Sequence, residues 1–201
     1  MRLTNTNYKG VYRRITYGCA HRCDEHTHRD STADFAPLAD LEDLYEYARV
    51  DGVGQMAGWQ PHGSIEESRA ILEMFIRERK TLALESREDR KVIGSLGLEP
   101  CYPATGLDER LQGREIGYVL SRDYWGRGLM PEAVEAVIDY CFRELNWDYL
   151  TCGHYNRNDR SRRVIEKCGF RYDRDFAFQT RLGTVEPGKM YVQYNSRRGK
   201  P

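Results

Sequence analysis

An amphipathic helix that follows a glycine-containing turn constrains this sequence more than any other feature. From residue 134 to residue 145, apolar side chains recur at i, i+3, i+4, i+7, i+8 and i+11, which is the spacing of one helical face. The preceding segment "REIGYVLS" is predicted to be a strand, and "RDYWGRGLM" joins the strand to the helix. The apolar face comprises Val134, Val137, Ile138, Cys141, Phe142 and Leu145.

The rest of the chain alternates between helical and extended patterns. Two earlier helices are predicted, in "ADLEDLYEYARV" and in "GSIEESRAILEMFIRERK", where Ser64 and Glu67 form a capping box. A short helix, "DRSRRVIEKCG", ends at Gly169 as a left-handed cap. The fold class is therefore α/β (α+β), a mixed central sheet flanked by helices on both faces. The remaining predicted strands are "TLALE", "KVIGSLGLE", "YLTCGHY", "FRYDRDFAF" and "KMYVQYN".

Charge and hydropathy exclude some classes of protein. Lys and Arg together number 31, as do Asp and Glu, so the net charge is zero and gives no sign of a nucleic-acid-binding protein. The sequence has no apolar run long enough for a membrane span, and its first residues lack the pattern of a signal peptide. We therefore expect a cytoplasmic protein with reduced cysteines and no membrane or nucleic-acid partner.

The first residues are rich in metal-ligating side chains. Their close spacing does not suit a tetrahedral site, so we expect a solvated arm that needs no metal and at most holds a divalent ion weakly. The predicted organisation is an arm over residues 1–37, one domain over 38–195 and a basic tail over 196–201. The cysteines and histidines of the arm are Cys19, His21, Cys23, His26 and His28.

The glycine turn is a candidate anion site. A helix start leaves backbone N–H groups unpaired, and Gly126 and Gly128 let successive N–H groups point at a phosphate. An ordinary tight turn would also use these glycines. The P-loop pattern fails because no Lys-Ser or Lys-Thr follows, and the dinucleotide pattern fails because residue 131 is proline.

Two motifs in this order resemble the GNAT superfamily of acyl-CoA N-acyltransferases, and within it the RimJ/RimL-like branch. They are "EIGYVLSRDYWGRGLMPEAVEAVIDYCF" and "NRNDRSRRVIEKCGFRYD". The resemblance covers roughly residues 38 to 195. It implies a GNAT-like fold, acetyl-CoA as cofactor with no metal, and an amine acceptor, with the chain acting as a monomer or homodimer. The acceptor could be a protein N-terminus, an amino sugar, a polyamine or another small amine. The alternative is a CoA-binding module that no longer transfers.

The resemblance also implies which residues contact the cofactor. The pyrophosphate loop of the superfamily aligns with Trp125, Gly128 and Met130, where tryptophan and methionine depart from the usual residues and Met130 could narrow the entry. The branch usually opens with a Thr-x-Arg-Leu strand, which is missing from "DSTADFAPL", so "VYRRITY" is a candidate replacement. The implied cofactor contacts are Val119, Leu120, Trp125, Gly126, Arg127, Gly128, Leu129, Met130, Asn158 and Ser161.

Glu115 is the candidate general base, at the acid position of "EIGY", and would reach the amine through water. It could instead be a structural glutamate paired with Arg114 or Arg122. The superfamily's usual tyrosine acid is replaced by Ile165, so Ser161 is the candidate proton donor to the leaving thiolate, unless the thiolate leaves unassisted.

Other side chains also have predicted roles. Tyr155 is a weaker substitute for the missing acid, and Cys141 and Cys168 are expected to be buried, inert thiols. Trp59 and His62 are candidates to line the acceptor site, with packing as the alternative for Trp59. We therefore expect direct transfer in a ternary complex.

Overall fold

The computed structural model describes residues 40–101 and 110–198. The helices are α1 (Leu41–Ala48), α2 (Ile65–Glu78), α3 (Leu129–Arg143) and α4 (Asp159–Lys167). Short 3-10 helices span Gly54–Ala57 and Arg122–Tyr124. The strands are β1 (Thr81–Ser86), β2 (Lys91–Glu99), β3 (Gly113–Leu120), β4 (Tyr149–Tyr155), β5 (Arg171–Gln179) and β6 (Val185–Tyr194).

The six strands form one sheet in the order β1-β2-β3-β4-β6-β5. Every neighbouring pair is antiparallel except β3 and β4, which run parallel. A parallel pair needs a crossover connection, and α3 supplies it between these two strands. The glycine turn that begins α3 therefore lies at the carboxyl end of β3, beside β4.

Helices cover both faces of the sheet, which confirms the predicted fold class. Successive residues of a strand point to opposite faces. In β1, Leu82 and Leu84 join the core cluster that contains α3 and α4, whereas Ala83 joins the cluster that contains α1 and α2. The first pair of helices and the second pair therefore pack on opposite faces.

Local sequence signals placed most element ends. Ser64 caps α2 as predicted, since Glu67 N–H donates to Ser64 Oγ at 3.3 Å. The second half of the capping box differs, because Glu67 Oε2 accepts from Gly63 N–H at 2.7 Å and not from Ser64 N–H. Gly169 has a φ of 83° immediately after α4, as the left-handed cap requires. Several boundaries differ from the predictions; for example, α3 begins at Leu129, before Pro131, and β6 begins at Val185, before Lys189.

Some predictions lie outside the described residues. These are the arm with its cysteines and histidines, the strand "VYRRITY" and the ends of the predicted domain. Within residues 40–101 and 110–198, no group of His, Cys, Asp and Glu could hold a metal ion. In the same two ranges, no helix combines the length and apolar character needed to cross a membrane.

Candidate active site

The candidate site lies in a gap between β3 and β4. The two strands pair from Gly113–Tyr149 to Ile116–Cys152 and then separate, although β3 continues to Leu120. Ser121 N–H donates to Ile93 O of β2 at 2.7 Å. Along a strand, successive backbone N–H groups point to opposite sides. Because the N–H of Ser121 points to β2, the amides of Tyr118 and Leu120 point towards the gap beside β4. The edge of β3 beside Val119 and Leu120 is therefore splayed away from β4.

A cavity of about 530 Å³ fills this gap. That volume is typical of a small-molecule or cofactor site. A more open cavity of about 710 Å³ lies between α3 and the end of β6, away from these residues. The predicted site residues that line the cavity in the gap are Glu115, Val119, Leu120, Trp125, Gly126, Gly128, Leu129, Met130, Asn158 and Ser161.

The glycine turn has the backbone geometry of an anion cradle. Gly126 and Gly128 have φ values of 79° and 80°, and a Cβ at either position would meet no heavy atom within 4 Å. In the described residues, no side chain caps the N-terminus of α3, whereas Ser64 caps α2 and Asn158 caps α4. The first N–H groups of α3 are therefore available to an anion at the positive end of the helix.

Cationic side chains of α4 also line the cavity. Arg160, Arg163 and Lys167 lie at i, i+3 and i+7, which is one face of the helix. The guanidinium of Arg160 lies 4.5 Å from the centroid of the Trp125 ring and so holds positive charge beside the glycine turn. The sequence analysis missed this face, although its helical spacing was visible in "DRSRRVIEK".

Two loop residues have different surroundings from those expected. Arg127 does not line the cavity; its guanidinium lies 4.9 Å from the centroid of the Tyr124 ring. Met130 lines the cavity but is 5% exposed and packs in the core with α3. Trp125 donates its indole N–H to Leu120 O at 2.8 Å, which fixes the ring against β3. A phosphate contact by Arg127 therefore stays a prediction without geometric support.

Glu115 has the surroundings of a general base. It is partly exposed as a residue, but its Oε2 is buried and has no hydrogen-bond partner among the described residues. Burial, followed by the charge of Glu99, raises the pKa of Glu115 to about 7, and Arg174 opposes the shift. Arg114 instead donates to Gly113 O and lies over the Trp147 ring. The expected alternative of a pair with Arg114 is not seen.

Ser161 has a partner that the sequence analysis missed. The Tyr118 hydroxyl lies 2.9 Å from Ser161 Oγ and donates to Ser161 O at 3.2 Å. Burial raises the pKa of Tyr118 well above its usual value, so this hydroxyl stays protonated. Ser161 N–H donates to Asn158 Oδ1 at 3.1 Å, so Asn158 is an N-cap as well as a lining residue. Ile165 is buried in the core behind them.

The proposed acceptor residues lie apart from the cavity. Neither Trp59 nor His62 lines it, and their ring centroids are 5.1 Å apart. Trp59 packs on the α1–α2 core, and a Cβ at Gly54 would lie 2.3 Å from its ring. His62 is buried, its Nδ1 lies 2.7 Å from Ser68 Oγ, and burial lowers its pKa. This geometry favours the packing interpretation for Trp59.

The cysteines are not arranged as nucleophiles. Cys141 and Cys168 are buried, and burial raises the pKa of each thiol to about 12. Cys152 lines the cavity, but burial raises its pKa well above the usual range. A protonated thiol is a poor nucleophile, so none of these three thiols is suited to covalent catalysis.

Comparisons with known proteins show the family of this chain. The sequence profile of the acetyltransferase (GNAT) domain matches residues 35–171. The probable N-acetyltransferase YjcK of Bacillus subtilis (strain 168) is 47% identical over 60 residues, which are 30% of this chain and 33% of YjcK. The chain thus aligns with only about a third of that relative.

Solved structures share the fold at low identity. A GNAT-family acetyltransferase from Bacillus anthracis has a TM-score of 0.68 at 20% identity, covering 81% of this chain and 92% of that one. A putative ribosomal-protein-serine acetyltransferase from Vibrio cholerae has a TM-score of 0.63 at 18% identity, covering 77% and 88%. Spermidine N-acetyltransferase from Vibrio cholerae, in complex with CoA and spermine, has a TM-score of 0.62 at 18% identity, covering 79% and 92%.

Proposed function

Because this chain belongs to the acetyltransferase (GNAT) domain family, with RimJ/RimL-like proteins among its structural neighbours, we propose that it transfers an acetyl group from acetyl-CoA to a primary amine. The amine attacks directly in a ternary complex. The observation that carries the proposal is the position of Glu115, which has an unpartnered buried oxygen and lines the same cavity as the uncapped start of α3.

The cofactor half of the cavity suits a diphosphate. The N–H groups from Gly126 to Met130 would hold it, with Arg160 and Lys167 supplying positive charge. Acetyl-CoA, when bound, supplies an acetyl thioester. The amides of Tyr118 and Leu120 face the gap and are suited to stabilise negative charge that develops on the carbonyl oxygen.

Proton movement is assigned to two side chains. Glu115 accepts a proton from the attacking amine through a water molecule as the C–N bond forms. A pKa near 7 lets it act as a base at neutral pH. Ser161 Oγ, held by the Tyr118 hydroxyl at 2.9 Å, would donate a hydrogen bond to the sulfur of a bound thioester while the C–S bond breaks, and solvent would protonate the released thiolate.

The cytoplasm remains the proposed location. The described cysteines, Cys101, Cys141, Cys152 and Cys168, are all free thiols, which suits a reducing compartment. The oligomeric state, a monomer or a homodimer, stays a prediction.

The direct test measures cofactor binding and free thiol together. The purified chain is titrated with acetyl-CoA by calorimetry and then incubated with acetyl-CoA and a panel of primary amines. Thiol release that depends on an amine, and that rises with pH through about 7, supports transfer. Tight cofactor binding with no amine-dependent release would instead indicate a CoA-binding module.

A further inference from the structure

The floor of the cavity beside Glu115 is bare backbone. Gly117 lies on β3 between Glu115 and Val119, on the same face of the sheet. It is exposed, and a Cβ there would meet no heavy atom within 4 Å. Its φ lies outside the left-handed region, so the strand conformation does not require glycine. A glycine within a strand often marks a close approach by a ligand, and here it leaves space next to the base.

The walls around this floor are apolar. Val53, Met56 and Ala57 line the cavity from the first 3-10 helix region, and Tyr155 and Phe178 line it from β4 and β5. The ring of Phe178 packs directly against Gly153, since a Cβ added there would lie 2.5 Å from the ring. This contact holds Phe178 in place. These side chains surround a substrate without offering it a second charge.

The charged pair at the rim also offers no free carboxylate to a second cation. Arg157 Nη1 donates to Met56 Sδ at 3.3 Å, and its guanidinium lies 5.4 Å from the Tyr155 ring centroid. Arg157 is paired with Glu186 at 3.2 Å. Glu115 is the one carboxylate among the described residues that line the cavity. A second ammonium group would lie on apolar walls or near Arg157, and burying an unpaired charge is costly.

We propose that the acceptor is a primary monoamine on a compact apolar body, which lies on the Gly117 floor with its amino group towards Glu115. This inference rests on the proposed function and narrows it. Polyamines and strongly polar amines are expected to be poor acceptors, because their additional polar groups find no partner at the apolar walls.

The first experiment compares three amines by kcat/KM for thiol release from acetyl-CoA. They are 2-phenylethylamine, 2-aminoethanol and spermidine. We expect 2-phenylethylamine to exceed both others by about tenfold or more, in line with burial of an apolar side chain. Equal or better turnover of 2-aminoethanol or spermidine overturns the inference and leaves the proposed transfer intact. No release with any amine overturns both.

The second experiment adds a methyl group to the floor of the cavity at residue 117. Gly117→Ala is expected to lower kcat/KM for 2-phenylethylamine about tenfold or more, because displacing a reacting group by about 1 Å is costly. Acetyl-CoA affinity should stay within about twofold, since the phosphate contacts lie elsewhere. Gly97→Ala is the matched control, because Gly97 of β2 lies opposite Gly117 of β3 but does not line the cavity. Unchanged kinetics for Gly117→Ala, or equal losses in both variants, would contradict the proposed floor.

Discussion

The two halves of the cavity are built in different ways. The cofactor half is made largely of backbone from consecutive residues, Trp125 to Met130, with cations from one face of α4. The acceptor half is made of side chains from separate elements, with Glu115 from β3, Met56 from a 3-10 helix and Phe178 from β5. A change in the first half should therefore alter cofactor affinity, and a change in the second should alter rate or acceptor choice.

The largest expected effect is on rate in the acceptor half. Glu115→Gln should lower kcat about 100-fold, the lower end for loss of a general base. The rise of activity with pH through about 7 should also disappear, because an amide cannot take the proton. Steady-state thiol release from pH 6 to pH 9 measures both, and calorimetry should show unchanged acetyl-CoA affinity.

Glu99→Gln is the control for this change. Glu99 pairs with Glu115 across β2 and β3, but its carboxylate is bonded to Lys80 at 2.6 Å and does not line the cavity. We expect a near-normal rate above pH 7, with the rise in activity moved to lower pH, because loss of the Glu99 charge lowers the pKa of Glu115. A Glu115→Gln enzyme that keeps its rate and pH profile would remove Glu115 from the mechanism.

A smaller effect is expected on affinity in the cofactor half. Gly128→Ala should weaken CoA binding about 30-fold, which corresponds to loss of about 2 kcal/mol of charge-assisted hydrogen bonding. Alanine is also strained at a φ of 80°, at a cost of about 1 kcal/mol in stability. Calorimetry with CoA gives the affinity, and thermal unfolding gives the stability.

Gly183→Ala separates the loss of CoA affinity from the loss of stability. Gly183 has a φ of 74° and open space around its Cβ, but it lies outside the cavity. It should lose similar stability and no CoA affinity. If the two variants bind CoA equally well, the glycine turn does not bind the cofactor, and the proposed division of the cavity into two halves fails.

A moderate effect on rate is expected where the halves meet. Ser161→Ala should lower kcat about fivefold, equivalent to about 1 kcal/mol for one hydrogen bond to the sulfur. Tyr118→Phe should have a similar or smaller effect, and the double variant should be no slower than Ser161→Ala, because the two hydroxyls act as one unit. Additive losses measured by steady-state kinetics would show that they act independently.

The last prediction concerns pH-dependent stability and not activity. The folded-state pKa of Glu115 is raised from 4.5 to about 7, so its contribution to stability is full below pH 4.5 and is lost as pH rises through 7. Glu115→Gln should match the wild type at pH 4.5 and be more stable above pH 7, by on the order of 3 kcal/mol. Thermal or urea unfolding at both pH values tests this; a difference independent of pH would contradict the raised pKa.

The local features of the cofactor half could be predicted from the sequence. The strand, the glycine turn and the amphipathic helix each depend on neighbouring residues, so spacing was sufficient to place Gly126 and Gly128. The same reasoning placed the Ser64 cap of α2 and the glycine cap of α4. The helical spacing of Arg160, Arg163 and Lys167 was also available, but spacing alone does not show that this face meets the cavity.

The acceptor half depends on contacts between distant segments. Tyr118 and Ser161 are 43 residues apart, and only the packing of α4 against the splayed end of β3 brings their hydroxyls together. Trp59 was predicted near the acceptor from its position between the first two helices, but the structure packs it on their core. The raised pKa of Glu115 likewise comes from burial in the assembled sheet, which no local pattern encodes.

The central claim is that backbone N–H groups at the start of α3 bind the CoA diphosphate. Selective ¹⁵N-glycine labelling, followed by NMR titration with CoA and then with pantetheine, tests it directly. We predict large amide shifts for Gly126 and Gly128 with CoA, little change for either with pantetheine, and none for Gly183. Saturable CoA binding that leaves the amides of Gly126 and Gly128 unmoved would contradict the claim.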